Sequence, residues 1–308
     1  MGGPIIVVGS INMDLVFRVP RYPKPGETLP GREFHLFPGG KGANQAVGLA
    51  RLDADVQMIG AVGRDQYGKE LKGNLKNEGV DVSRVAELEE KTGVAAIMVS
   101  DDGENRIITF GGANHRVGAE AVEEAEDLFK KAWGVLLQLE IPLETVVAAA
   151  KLGKKCGCRV FLDPAPVTEL PVSVFQDIDY LLPNQGELET LLPEGKNNEA
   201  RAKTLLELGV KNLVLKKGEQ GCLVYNREAH REFPAYQVQA VDTTAAGDAF
   251  AAAFSWAIQK GFPLEKACLF ANASGGVAAS KLGAQSSLPV LEEINKLQKE
   301  AEINEVDY

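Results

Sequence analysis

Between residues 120 and 225 short, apolar, β-branched runs alternate with stretches of helical periodicity, and that alternation is the strongest constraint on the fold. The pattern predicts a helix over 120–132, a strand over 134–139, a helix over 143–155 and a strand over 159–162 that runs into Asp163-Pro164. Further strands are expected at 180–182, 213–217 and 222–225, the last two separated by the turn Gly218-Glu219-Gln220-Gly221. Strands in which nearly every residue is apolar are buried on both faces, and helices between them act as crossovers, so the strands run parallel. Residues 5–9, Ile-Ile-Val-Val-Gly, add another such strand at the start. The fold class expected is α/β, an open and mostly parallel central sheet flanked by helices.

At 308 residues and 45% hydrophobic the chain can bury the core of one large domain, taken as 1–308. Asp and Glu outnumber Lys and Arg by 43 to 33, a net charge of −10, and no basic run tracks a nucleic-acid backbone. No nucleic-acid partner is expected. Cys156, Cys158, Cys222 and Cys268 fit neither a disulfide framework nor a zinc site and read as free thiols of a reducing compartment. The apolar run at 5–9 is too short for a signal peptide and no window could cross a bilayer, so the expectation is a cytoplasmic protein without membrane contact.

Two other segments alternate polar and apolar residues in the way of half-exposed strands. One pair is 15–19 and 32–37, separated by Pro20, Pro23, Pro25 and Gly26; the other is 93–100 and 106–110, joined by Asp101-Asp102-Gly103-Glu104. Together, over about 14–38 and 93–112, they suit a small β lid on the main body. Just before the first, Asn12 and Asp14 point the same way if the chain is extended, beyond the carboxyl end of a buried strand where α/β sheets bind ligands. An Asx turn ending the strand fits the same residues. After it comes Gly39-Gly40-Lys41-Gly42-Ala43-Asn44, a glycine turn that opens a helix ending near Leu52 and lets backbone approach a ligand. Gly63 to Glu70 nearly matches a phosphate-binding loop but lacks the final hydroxyl, and 66–78 reads as an amphipathic helix.

The stretch Val241-Asp242-Thr243-Thr244-Ala245-Ala246-Gly247-Asp248 runs from polar turn residues into an alanine-rich helix over 246–260. Unpaired amides and the positive end of the dipole make a helix N-terminus attractive to phosphate. Asp248, in the first turn, is placed either to accept a proton from a hydroxyl attacking that phosphate or merely to stabilise the helix dipole. Helices over 264–280 and 291–301 follow, with a loop rich in carbonyls and hydroxyls, 281–287, between them.

The glycine-rich turn at 39–44 and the segment at 242–248, about 200 residues apart and in this order, are similar to the two signatures of the ribokinase-like (PfkB) family of carbohydrate kinases. The resemblance spans nearly the whole chain. It implies that Asn12, Asp14, Gly40, Lys41, Gly42, Ala43, Asn44 and Glu140 hold sugar hydroxyls, that Asp248 is the catalytic base, and that Ala245, Ala246 and Gly247 form an anion hole. It further implies that Asn184 and Glu187 organise water around Mg²⁺ and the phosphates of ATP. Lys216, Lys217, Gly218, Glu219, Gln220, Gly221 and Asn272 then fall in the nucleotide pocket. Here the chain departs from the family, which often has Thr at the position of Lys216 and an apolar residue at that of Lys217. Asp242, Thr244, Ala278, Lys281, Gly283 and Ser287 match the family's loop for a monovalent cation, K⁺ suiting carbonyl and hydroxyl donors.

Ser10 to Asp14, Gly111-Gly112-Ala113-Asn114 and Gly283-Ala284-Gln285 are more similar to the ribose-phosphorylating branch than to those acting on fructose or adenosine. The implied activity is transfer of the γ-phosphoryl of MgATP to the primary (C5) hydroxyl of D-ribose, by a homodimer paired through its β lid. Two alternatives stay open at this point: a kinase of the same fold for 2-deoxyribose, fructose or adenosine, and a non-catalytic sugar-binding regulator.

Overall fold

The computed structural model describes residues 2–228 and 230–306, with side chains as far as residue 301. The chain starts with β1 (Ile5–Val8), whose four residues are all buried. At its end the chain leaves the main sheet for a hairpin, β2 (Asn12–Val19) and β3 (Glu33–Gly39), then enters α1 (Lys41–Ala50). It returns through β4 (Val56–Gly63), α2 (Gln66–Asn77) and β5 (Asp81–Leu88), and leaves again for β6 (Gly93–Ser100) and β7 (Asn105–Phe110). Two short helices, α3 (Ala119–Glu123) and α4 (Glu126–Phe129), lead to β8 (Gly134–Leu137), α5 (Leu143–Cys156) and β9 (Arg159–Leu162). Then come β10 (Tyr180–Leu181), α6 (Gln185–Leu191), α7 (Asn198–Glu207), β11 (Asn212–Lys216), β12 (Cys222–Asn226) and β13 (His230–Phe233). The helices α8 (Ala246–Gln259), α9 (Leu264–Ala279) and α10 (Leu291–Val306) complete the chain.

Among the described residues nine strands form one sheet in the order β13-β12-β11-β10-β9-β8-β1-β4-β5, and four form a second in the order β3-β2-β6-β7. From β5 to β11 every pairing is parallel; β12 and β13 are antiparallel at one edge. Along β1, Ile5 and Val7 belong to the apolar layer shared with Phe250 and Phe254 of α8, while Ile6 and Val8 join the layer with Val146 and Ala149 of α5. Opposite-face alternation along one buried strand thus sends its side chains into two cores, as a sheet covered by helices on both sides requires.

The expected α/β architecture and the separate small sheet are both present. One helix expected over 120–132 is instead α3 and α4, broken at Glu124 and Ala125; Val122, Ala125 and Phe129 are all buried, and nothing in the local sequence marks the break. Packing outweighs intrinsic propensity here. The strands β4 and β5 were not foreseen, nor were α7 and β13; β5 is an edge strand with only Val85 buried and carries no clear alternation. At the rejected phosphate-loop match, Asp65 caps α2 by accepting from the Gly68 amide at 2.9 Å, an ordinary helix start.

β1 is the strand from which the order runs both ways, to β4 on one side and β8 on the other. Ligand crevices open at the carboxyl ends of strands around such a switch point. There α1 packs against the end of β1 so closely that a Cβ on Gly42 would lie 2.6 Å from the Gly9 carbonyl carbon and the Ser10 nitrogen. Both are backbone and cannot rotate away. Gly42→Ala is therefore expected to destabilise the protein by roughly 1–3 kcal/mol through overpacking and to impair any activity sited there. Denaturant unfolding checks this, and a variant as stable as the parent would refute the close approach.

Candidate active site

Several of the residues singled out from the sequence converge where parallel strands end, joined by others that were not. Ser10 follows β1, Gln138 and Glu140 follow β8, Asp163 follows β9, Asn184 follows β10, and Lys216 is the last residue of β11. The N-termini of α1 and α8 close the same space from one side.

The turn at 39–44 is built by backbone contact. Gly40 has φ of 88°, the left-handed region, and a Cβ there would lie 2.7 Å from the Asn12 nitrogen. No side chain of the turn caps α1. Remote groups do it instead: Glu140 Oε2 accepts from the Lys41 amide at 3.0 Å and from Ser10 Oγ at 2.5 Å, and the Ala43 amide donates to the Ser10 carbonyl at 2.8 Å. Glu140 therefore caps a helix as well as facing the crevice, a duty the sequence did not reveal.

Asp248 is 4% exposed although its neighbour Gly247 is exposed. Asn44 Nδ2 donates to its Oδ2 at 2.9 Å and Gln45 Nε2 to its Oδ1 at 3.0 Å. The same Gln45 nitrogen donates to Asp163 Oδ2 at 2.9 Å, and Gln45 Oε1 accepts from Gln138 Nε2 at 2.5 Å. Asp163 is paired on its other oxygen with Lys216 Nζ at 2.6 Å. Gln45, Gln138 and Asp163 were absent from the sequence-derived site. Their position at strand and helix ends, one residue beyond or beside the signature residues, is the signal that could have found them.

Burial pushes the Asp248 carboxyl above the usual carboxylate range, opposed by the Lys41 ammonium. Lys41 is held well above the ordinary lysine range, chiefly by Asp248 and then by Asp163, Glu140 and Glu187, and so stays charged. Asn44 Oδ1 is buried without a partner, an acceptor aimed at nothing in the protein.

In front of Asp248 the chain takes an unusual conformation. Ala245 has φ of 60°, in the left-handed region that a Cβ disfavours by roughly 1–2 kcal/mol. No side chain caps α8, so its first amides face the crevice, with that of Ala246 turned back to the Thr243 carbonyl at 3.2 Å.

Asn12 and Asp14 share one face of β2, as alternation requires. Asn12 Oδ1 accepts from Asn114 Nδ2 at 2.7 Å, and Asn114 Oδ1 accepts from the Ile11 amide at 2.9 Å, so Asn114 pins the corner where the chain passes between the sheets. Asn12 and Glu140 line a cavity of about 250 Å³ with His115. Asp14 lies in a larger cleft of about 1010 Å³ between the small sheet and the segments 240–244 and 282–284.

On the other side of Lys216, a cavity of about 500 Å³ is lined by Asn184, Lys217, Gly218, Glu219 and Gln220. Asn184 and Glu187 form a reciprocal capping box, with Glu187 Oε2 accepting from the Asn184 amide at 2.7 Å. The adjacent lysines diverge: Lys217 pairs with Glu232 at 2.5 Å. Asn272 does not line the cavity; it donates to the carbonyls of Phe233 and Pro234 and ties α9 to the end of β13. Gly221, with φ of 90°, turns the chain towards β12.

Asp242 joins two loops, accepting from the amides of Thr244 and Gly283 at 2.9 Å each. The Ala278 carbonyl accepts from the Lys281 amide at 3.1 Å, Lys281 Nζ pairs with Glu293 at 2.6 Å, and Ser287 Oγ donates to the Ala284 carbonyl at 2.7 Å.

The Asp14 carboxyl is pushed up to about 7 by burial, then by the charges of Glu140 and Asp248, against the pull of Lys41. Between its ordinary value of 3.8 and about 7 the folded protein keeps a proton that the unfolded chain has released. This contribution to stability is thus complete at low pH and is lost as pH rises to about 7. Asp14→Asn should remove that falling component, on the order of 3 kcal/mol, from denaturant midpoints of the ligand-free protein measured between about pH 4.5 and 7.5. Parallel curves for parent and variant would show that Asp14 titrates normally.

Residues 4–291 match the model of the pfkB family of carbohydrate kinases. The chain is 37% identical over 301 residues to a ribokinase of Lactococcus lactis subsp. lactis, covering 97% of this chain and 98% of that protein. It is 38% identical over 302 residues to a deoxyribokinase of Salmonella typhimurium, covering 95% and 97%. The solved structure of Arabidopsis thaliana ribokinase complexed with ribose and ATP superposes with a TM-score of 0.90 at 35% identity, over 97% of this chain and 99% of that one. Matched across nearly its whole length by the family model and by these relatives, the chain belongs to the pfkB family of carbohydrate kinases.

Proposed function

We propose that the chain is an ATP-dependent kinase that phosphorylates D-ribose at its C5 hydroxyl, giving D-ribose 5-phosphate and ADP. The observation that carries this reading is Asp248, a buried carboxylate with raised proton affinity, set beside the uncapped N-terminus of α8 and the partnerless Asn44 Oδ1. Relatives named ribokinase, one solved with ribose and ATP, support the choice of sugar.

The sugar is held by Asn12, Asp14, Lys41, Asn44 and Glu140, whose acceptors and donors suit a polyhydroxylated ligand and penalise one that lacks a hydroxyl. Its C5 oxygen attacks the γ-phosphorus, its proton passes to Asp248, the bond from phosphorus to the β-phosphate oxygen breaks, and ADP leaves. The amides at the start of α8 stabilise charge on the transferring group. The nucleotide occupies the cavity along 216–221.

Among the described residues no group of three or more His, Cys, Asp or Glu side chains is assembled to grip a metal. That suits Mg²⁺ arriving on the triphosphate with its own waters, steadied by Asn184 and Glu187; when bound it neutralises phosphate charge. The loops joined by Asp242 offer carbonyls and hydroxyls for K⁺, which would stiffen the turn at Ala245.

All four cysteines are free, which supports an enzyme of a reducing compartment such as the cytoplasm.

The small sheet acts as the lid of the cleft. One face, with Asp14, Val16, His35 and Phe37, lines it. The other carries Phe17, Phe34, Leu36, Ile108 and Phe110, all exposed, with the Phe17 and Phe34 rings 4.9 Å apart. A second copy of this sheet is the occupant we assign to that apolar face. Ile108→Asp should then convert a dimer to a monomer in sedimentation at ~µM concentration, and a parent that sediments as a monomer refutes the assignment.

Sugar-dependent ADP release tests the activity, with D-ribose, 2-deoxyribose, fructose and adenosine compared in K⁺ and in Na⁺. D-ribose should be preferred and K⁺ should stimulate. A preference for 2-deoxyribose would instead align the chain with its deoxyribokinase relative. Asp248→Asn should bind both substrates and lose roughly 10²–10⁴-fold in kcat; near-native turnover would remove Asp248 as the base.

A further inference from the structure

We propose that Lys216 contacts the transferring phosphoryl group directly, a fixed cation that this chain has where much of the family carries a hydroxyl. The inference rests on the kinase reading above and adds a residue to its chemistry.

Lys216 ends β11, between the nucleotide cavity and the start of α8. Its side chain is 12% exposed, and its Nζ is 2.6 Å from Asp163 Oδ1, a carboxylate 1% exposed. That ammonium also lies 3.6 Å from the point where a Cβ on Gly247 would stand. Even a Cβ there would meet the ammonium only at van der Waals distance, so the lysine head lies directly beside the first turn of α8. An anion bound by the amides of that turn would meet Lys216 at once. An ammonium has three donors and Asp163 Oδ1 accepts one, which leaves two for a bound anion.

Charge balance points the same way. Asp14, Glu140, Asp163, Glu187 and Asp248 surround this space, and the cations that act on them from within it are Lys41 and Lys216. Lys41 is engaged chiefly by Asp248 on the sugar side. On the nucleotide side Lys217 also lines the cavity but is paired with Glu232, which leaves Lys216 as the ammonium set between that cavity and the carboxylates. Asp163 acts as a positioning residue: its second oxygen accepts from Gln45 Nε2, the same nitrogen that donates to Asp248, so the lysine and the base are tied through one amide.

During transfer the bond from the γ-phosphorus to the bridging oxygen breaks and that oxygen leaves on ADP, the proton of the sugar hydroxyl goes to Asp248, and negative charge is spread over the three equatorial oxygens of the transferring group. Lys216 stabilises that charge electrostatically and takes no part in the proton transfer.

The test is the variant Lys216→Met. Expected are a fall in kcat of roughly 10²-fold, a sugar KM within about twofold of the parent, and a selective loss of binding to the triphosphate. Titration calorimetry would show AMP-PNP weakened about tenfold and ADP little changed. Stranding the buried Asp163 charge could unfold the single variant; the double variant Asp163→Asn/Lys216→Met removes both charges and should show the same selective loss. Equal weakening of ADP and AMP-PNP, or unchanged affinity for both in a folded variant, overturns the proposal. A parent that phosphorylates no sugar overturns the kinase reading alone, since the comparison of AMP-PNP with ADP still decides the role of Lys216.

Discussion

One amide nitrogen, Nε2 of Gln45, donates to two buried carboxylates at once, Asp163 at 2.9 Å and Asp248 at 3.0 Å. Two carboxylates around one donor repel each other, and taking them out of water is costly unless cations and hydrogen bonds answer them. The crevice supplies both. Asn44 and Gln45 donate to Asp248, Lys41 faces it, and Lys216 pairs with Asp163. Gln138 in turn orients Gln45 by donating to its carbonyl oxygen at 2.5 Å, so the amide presents its nitrogen and not its oxygen to the acids. Remove that orientation and either acid would face an acceptor.

The sheet makes this cluster possible. Gln45 comes from α1, Gln138 from the end of β8, Asp163 from the end of β9, Lys216 from the end of β11 and Asp248 from α8. Five separate elements deliver one side chain each to a single layer. Parallel strands with matched register end at a common level, as Val8, Leu137 and Leu162 do in their pairings. Residues just past those ends are brought together without any contact between them in sequence.

That is also why the fold was legible and the site only partly so. Buried strands such as 5–9 and 134–137 declare themselves by unbroken apolar runs, and the crossover helix α5 by its period. β5, exposed at an edge, has no such pattern, and the split of α3 from α4 depends on packing that no local window contains. The glycine turn and the segment before α8 stand out because close approach and a helix start leave marks on composition. Gln45 and Gln138 carry no mark: a buried amide looks like any other glutamine until its partners are known. Asn272 shows the converse, a motif position whose side chain is spent on backbone carbonyls.

On the proposed reading, the base and the residues that bind the sugar differ in what holds them. Asp248 is enclosed by α1 and α8 within the body, and its hydrogen bonds are complete without the second sheet. Asp14 sits on β2, the strand that pairs with both β3 and β6 and so carries that sheet. A sugar bridging Asp14 and Asn44 would link the small sheet to α1 through its own hydroxyls. On the proposed reading, closure of the lid is then driven by the acceptor: a complete set of hydroxyls joins lid to body, and water, which can satisfy one side only, does not. The raised proton affinity of Asp14 fits this division, because a carboxyl that holds its proton near pH 7 can donate to a hydroxyl as well as accept from one.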